Sequence, residues 1–144
     1  MSEVSKLFFK SNKIARNNME YAPTKSLCDE NGEPLKFTLR PFTTEEDEAL
    51  RERCTKEVQI PGKAGAFRPR LQINKYLAMM AAESIAAPDL RNAELQDSYG
   101  VKTAEELLKA MVDDPGEYNR LILTIQNFNG SDVTFGEEVE AAKN

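Results

Sequence analysis

Three helix starts, each written out in capping chemistry and each followed by a stop, constrain this chain more than any other feature. Thr43 and Glu46 form one S/T-x-x-E box, and Thr103 and Glu106 form another. Such a pair satisfies the orphan amides of a first helical turn from both sides. The third start is Asp114-Pro115 with Glu117, placing proline at the first helical position, where its missing N–H costs nothing. The periodicity behind these starts predicts helices over about 44–56, 104–113 and 117–128. The second buries Ala104, Leu107, Leu108 and Met111. The third buries Tyr118, Leu121, Ile122, Ile125 and Phe128, with Gly130 as its stop.

Two further helices lie between these. Ile73, Tyr76, Leu77, Met80, Ala81 and Ser84 follow the i, i+3, i+4, i+7 stripe, which predicts a helix over 71–87 that ends at Pro88. Asn92 and Gly100 bracket a short helix at 92–99. Ahead of them, Asn31-Gly32 is a tight-turn dipeptide. Leu35, Phe37 and Leu39 alternate with Lys36, Thr38 and Arg40 as in a half-buried strand. A β-hairpin over 24–40 follows, with Cys28 facing Leu35, Ser26 facing Phe37 and Thr24 facing Leu39, and with Pro23 marking an edge. Residues 57–70, with Pro61, Gly62, Gly65 and Pro69, read as a loop or a second, irregular hairpin. The fold class expected is mostly α (α+β): a compact helical domain of about four to five helices with an N-terminal β-hairpin. Residues 1–20 are expected to be loosely ordered, with Val4, Leu7 and Phe8 on one face of a short, poorly capped helix. Residues 21–130 form a single domain, and 131–144 an acidic tail.

Composition narrows the function. The 144 residues include no histidine, which removes the commonest general base, nucleophile activator and zinc ligand. Cys28 and Cys54 therefore have no imidazole partner, match no metal-ligand spacing, and read as reduced, buried small hydrophobes. Pro61-Gly62-Lys63 lacks the glycine spacing of a phosphate loop. The pairs Glu105-Glu106 and Asp113-Asp114 point their carboxylates apart. No enzyme, cofactor or metal is expected. No apolar run approaches the ~20 residues of a membrane span, and Leu7 to Phe9 is too short for an export signal.

The net charge of −5 is uneven: residues 1–88 balance at +2, residues 89–144 at −7. An acidic half argues against general nucleic-acid binding, which needs cations against phosphates. The best basic patch is the loop cation set Lys63, Arg68 and Arg70, without nearby acids. What remains is protein binding through apolar helical surface. The residues proposed for it are Tyr76, Met80, Leu121, Ile125 and Phe128, as side chains left exposed on the helices near 71–87 and 117–128. The rival readings are another small helical adaptor, or a nucleic-acid-associated regulatory protein.

Several blocks together resemble one family. They are LKFTLRPFTTEEDEALRERCTKEV (35–58), NKYLAMMAAESI (74–85), PDLRNAELQDSYGV (88–101), AEELLKAMVDDPGEYNRL (104–121) and FNG (128–130). In content, order and spacing they are similar to the XkdN-like tail assembly chaperones of phages of Gram-positive bacteria. The resemblance spans about residues 25–130. The first 24 residues fit it less well, and Ser131 stands where an aromatic or apolar residue is expected. The resemblance implies a chaperone that coats the tape measure protein before the tube polymerises around it. It implies tail tube subunits as a second partner, a possible homo-oligomer, and action in the cytoplasm of the bacterial host without incorporation into the virion.

Overall fold

A computed structural model describes residues 2–130. The acidic tail expected at 131–144 lies outside the described residues. Within them the chain is α+β: six α-helices, one 3-10 turn and two small antiparallel sheets. The helices are α1 (Glu3–Leu7), α2 (Thr44–Arg53), α3 (Ile73–Glu83), α4 (Ala93–Tyr99), α5 (Ala104–Met111) and α6 (Pro115–Phe128). The strands are β1 (Met19–Tyr21), β2 (Phe37–Leu39), β3 (Thr55–Gln59), β4 (Phe67–Leu71) and β5 (Ile85–Ala87). Six helices stand where about four to five were expected, because the N-terminal apolar cluster closes a helical turn of its own.

The capping chemistry works as written. Thr43 Oγ1 accepts from the Glu46 amide, and Glu46 returns to the Thr43 amide at 3.2 Å. The Thr103 box is one-sided: Thr103 Oγ1 accepts from the Glu106 amide, but Glu106 turns its carboxylate to the Thr103 hydroxyl. Asp114 caps α6 through the Glu117 amide at 2.9 Å. Asn92 caps α4, which ends on Gly100 in the left-handed region at φ 69°. Even α1 is capped, contrary to the sequence reading, by Ser2 accepting from the Ser5 amide.

The hairpin exists in a different register. β1 pairs with β2 as Met19↔Leu39, Glu20↔Thr38 and Tyr21↔Phe37. The Asn31-Gly32 turn closes only a local bridge, Cys28↔Pro34, tightened by Asp29 Oδ1 accepting from the Asn31 and Glu33 amides. Between the two, residues 22–26 leave the ladder, which resumes at the Leu27 carbonyl accepting from the Leu35 amide. Thr24 donates to Glu117 Oε1 at 2.7 Å, and the Lys25 amide donates to Oε2 at 2.9 Å. A carboxylate on α6 thus draws the incoming strand aside, and the register moves toward the N-terminus.

The helix expected over 71–87 stops at Glu83. Ser84, buried, donates its hydroxyl to the Met80 carbonyl, and Ile85–Ala87 then pair with the free edge of β2. An Ala-rich segment favours helix, but a third strand that fills the sheet edge and buries Ile85 outweighs that small preference. Similarly α2 ends at Arg53 and not near 56, because Thr55 opens β3. Residues 55–71 form a regular two-stranded ribbon, Thr55↔Leu71 to Gln59↔Phe67, turned over Gly62 and Gly65, both at positive φ.

The core lies around α3, which packs on α2, α5, α6 and β5. Leu39, Leu107, Leu108, Leu121 and Ile125 are its largest fully buried side chains. Cys54 joins them, donating its thiol to Met79 Sδ at 3.7 Å; burial pushes that thiol up, so it stays protonated. Cys28 departs from the sequence reading: it is exposed and donates to the Lys25 carbonyl.

Candidate functional site

A cleft of about 380 Å³ opens between α2, α3 and the end of α6. Its floor holds an ionisable group of three. Arg51 Nε meets Asp47 Oδ2 at 2.9 Å, and its guanidinium stacks 4.7 Å above the Tyr76 ring. The Tyr76 hydroxyl donates to Asp47 Oδ1. Burial, reinforced by that bond to Asp47, holds the phenol well above its ordinary value. Tyr76 is therefore a fixed donor at neutral pH, and Asp47 is occupied by two partners. The arrangement locks α2 to α3. Among the described residues no cluster of three or more cysteine, aspartate or glutamate side chains is arranged to hold a metal ion.

The rim of the cleft is tied to the N-terminal segment by Asn129. Its Oδ1 accepts from the Phe42 amide at 2.8 Å and from Arg16 Nη1 at 3.3 Å, while its Nδ2 donates to the Ile125 carbonyl. Arg16 Nη2 also donates to the Phe42 carbonyl at 2.9 Å. One amide thus joins the start of α2, the end of α6 and the N-terminal arm. Sequence reading offered no pointer to it, since each partner is distant in the chain.

Four of the five residues proposed for partner contact are core. Tyr76, Met80, Leu121 and Ile125 are buried, and Phe128 is half-buried against the same cluster. The expectation that they stay exposed is corrected: α3 packs on α2, α5, α6 and β5, and one shared core cluster takes in the apolar stripes of α3 and α6. The basic loop residues Lys63, Arg68 and Arg70 are all exposed on the β3–β4 ribbon.

Exposed apolar surface lies elsewhere, mostly on residues 2–15. Val4 (65% exposed), Leu7 (68%), Phe8 (80%) and Ile14 (89%) stand in solvent, with Phe9 beside them. No residue of α1 is buried. The arm holds its shape locally: Lys6 pairs with Glu3, and Asn12 Nδ2 donates to the Lys6 and Leu7 carbonyls. Lys6, Lys10 and Lys13 interleave the apolar side chains. The first charged anchor to the body is Arg16.

The model of the phage XkdN-like tail assembly chaperone proteins matches this chain over residues 5–143. The chain belongs to that family. Two relatives from Bacillus subtilis (strain 168) extend the match. The phage-like element PBSX protein XkdN is 26% identical over 95% of this chain and 91% of its own length. The uncharacterized protein YqbN is 25% identical over the same shares. The crystal structure of YqbN superposes with a TM-score of 0.72 at 21% identity, covering 88% of this chain and 95% of that one. The fold is therefore shared with a solved member of the chaperone's kin. The match reaches into the arm as well as the body, although the sequence reading began the resemblance near residue 25.

Proposed function

We propose that this tail assembly chaperone coats the tape measure protein during tail morphogenesis, and that its apolar arm makes the contact. The observation carrying this reading is the placement of Val4, Leu7, Phe8 and Ile14 outside the core. Large apolar side chains clustered in solvent mark an interaction surface. A long unassembled helical client exposes apolar stripes of its own. An arm of about fifteen residues, fastened near Arg16, can cover such a stripe and peel away without disturbing the body behind it. Its interleaved lysines suit a client face that mixes apolar and acidic positions. Tail tube subunits are a second client in this reading. The work is done by binding, without catalysis, in the host cytoplasm, and the chaperone leaves before the virion is complete. No described helix is long and apolar enough to cross a membrane.

Co-expression of the tape measure protein with the wild-type chain or with Leu7→Ser/Phe8→Ser/Ile14→Ser tests this. The wild type is expected to keep the client soluble and to co-purify with it, and the triple variant to do neither while retaining its helical spectrum. Equal solubility with both, or with neither, removes the reading.

A further inference from the structure

The root of the N-terminal arm and the last described residue of the chain sit together. Arg16 Nη1 donates to Asn129 Oδ1 at 3.3 Å, and Arg16 Nη2 donates to the Phe42 carbonyl at 2.9 Å. Gly130 follows Asn129 at once and lines the same cleft as Asn129 and Phe42. Residues 2–15 precede Arg16 and residues 131–144 follow Gly130, fourteen residues on each side. Two segments of equal length that share a root need no long search to meet. Tethering of this kind gives an effective concentration on the order of millimolar, so a modest match suffices.

The match is in both charge and apolar content. Residues 2–15 carry Lys6, Lys10 and Lys13 against Glu3, a balance of +2. Residues 131–144, SDVTFGEEVEAAKN, carry Asp132, Glu137, Glu138 and Glu140 against Lys143, a balance of −3. Lys10 and Lys13 have no ion-pair partner among the described residues. Val4, Leu7, Phe8 and Ile14 stand in solvent on the arm, and Val133, Phe135 and Val139 interrupt the acids of the other segment. Contact would take apolar surface from water on both sides. A second cationic surface fits less well. Arg53, Lys75 and Lys109 ring a groove between α3 and α5, but Glu105 stands among them, and the apolar floor of Ala78 and Met79 is already buried. Among the described residues, the arm alone combines cations, uncovered apolar side chains and a bond to the end of α6.

We infer that residues 131–144 dock on the N-terminal arm of the same chain, acids against Lys10 and Lys13 and apolar side chains against Leu7, Phe8 and Ile14. The segment offers the arm the same acidic and apolar chemistry that suits a client, so segment and client compete for one surface. That competition rests on the arm's proposed role; the contact itself does not.

Zero-length carbodiimide cross-linking of the full chain without client, mapped by mass spectrometry, tests the contact. Amide links are expected from Lys6, Lys10 or Lys13 to Asp132, Glu137, Glu138 or Glu140, and their yield should fall at high salt. When light and isotopically heavy chains are refolded together, the links should join light with light and heavy with heavy. Val133→Ser/Phe135→Ser/Val139→Ser keeps every amine and carboxylate and should cut the yield roughly fivefold. Absent links overturn the inference, as does an undiminished yield from the serine variant. So do mixed light–heavy links, or links from the segment to Lys75, Lys109 or Lys56 in place of the arm. A chain ending at residue 130, which keeps every residue of the described core, should bind the tape measure protein roughly tenfold more tightly than the full chain, because its arm is always free. Equal affinity removes the competition. Links without client binding by either chain sink the arm's proposed role and leave the contact standing; client binding without links does the reverse.

Discussion

Glu46 shows how one side chain can serve both a helix and a fold. It closes the capping box at Thr43 and receives Arg40 through both guanidinium ends, at 3.1 and 2.6 Å. Arg40, with help from the Thr43 bonds, holds its carboxyl down to about 2 from an ordinary 4.5. A depressed folded value stabilises above the unfolded one and is lost as pH falls. The contribution of Glu46 is therefore complete above about 4.5 and gone near 2. The pair is partly solvent-exposed, which limits it to about 1 kcal/mol. Glu46→Gln should unfold at lower urea than wild type at neutral pH, and the gap should close as pH drops through that window. A gap independent of pH would assign the effect to the cap alone. The box was legible in the sequence, whereas Arg40 was read only as an outward residue of a strand. Its bond to Glu46 needs the bend at Pro41 that brings strand and helix together. Inside the core the expectation is plainer. Leu121 is fully buried at the α3–α6 contact, so Leu121→Ala should lower unfolding free energy by roughly 2–5 kcal/mol in chemical denaturation.

At the scale of elements, local chemistry decided starts well and ends less well. The starts of α2, α4, α5 and α6 fall where Thr43, Asn92, Thr103 and Asp114 put them. Their caps act within four residues and owe nothing to the rest of the fold. Thr103→Ala should cost about 1 kcal/mol in thermal or urea unfolding, the usual worth of a side-chain cap. Gly100 is another local determinant, held at φ 69° with open space where a Cβ would go. Gly100→Ala should destabilise by about 1 kcal/mol through backbone strain alone, with no clash to relieve by repacking. The ends of α2 and α3 were misread because strands compete for the following residues. Thr55 and Ile85 are better satisfied in ladders than in one more helical turn. Ladders join residues far apart in sequence, as Leu39 with Ile85, and no local window contains both.

For the molecule as a whole, the arm and the body separate cleanly. Among the described residues, 2–13 hydrogen-bond only with one another, and none of those in α1 is buried. A chain beginning at residue 16, which keeps Arg16 and its bonds to Phe42 and Asn129, should melt within a few degrees of the full chain and yet fail to hold a client soluble. A large loss of thermal stability would place the arm in the fold instead. Thr24 and Glu117 make the opposite kind of tie. They fasten the N-terminal sheet to α6 across ninety-three positions, and Glu117→Ala should loosen residues 22–27 to hydrogen exchange while leaving α6 helical.

The sequence by itself determined the helix starts, the absence of imidazole chemistry, the mixed α and β composition and, through its blocks, the tail assembly chaperone family. These depend on residue identity and short spacing, and both are visible in a string. Only the tertiary structure decided which apolar stripes remain in solvent. A periodic face shows that a helix will bury something but not what it buries. Here Tyr76, Met80, Leu121 and Ile125 are buried in one core cluster fed by several helices and strands, and the arm, whose apolar cluster is short, finds no partner within the described chain.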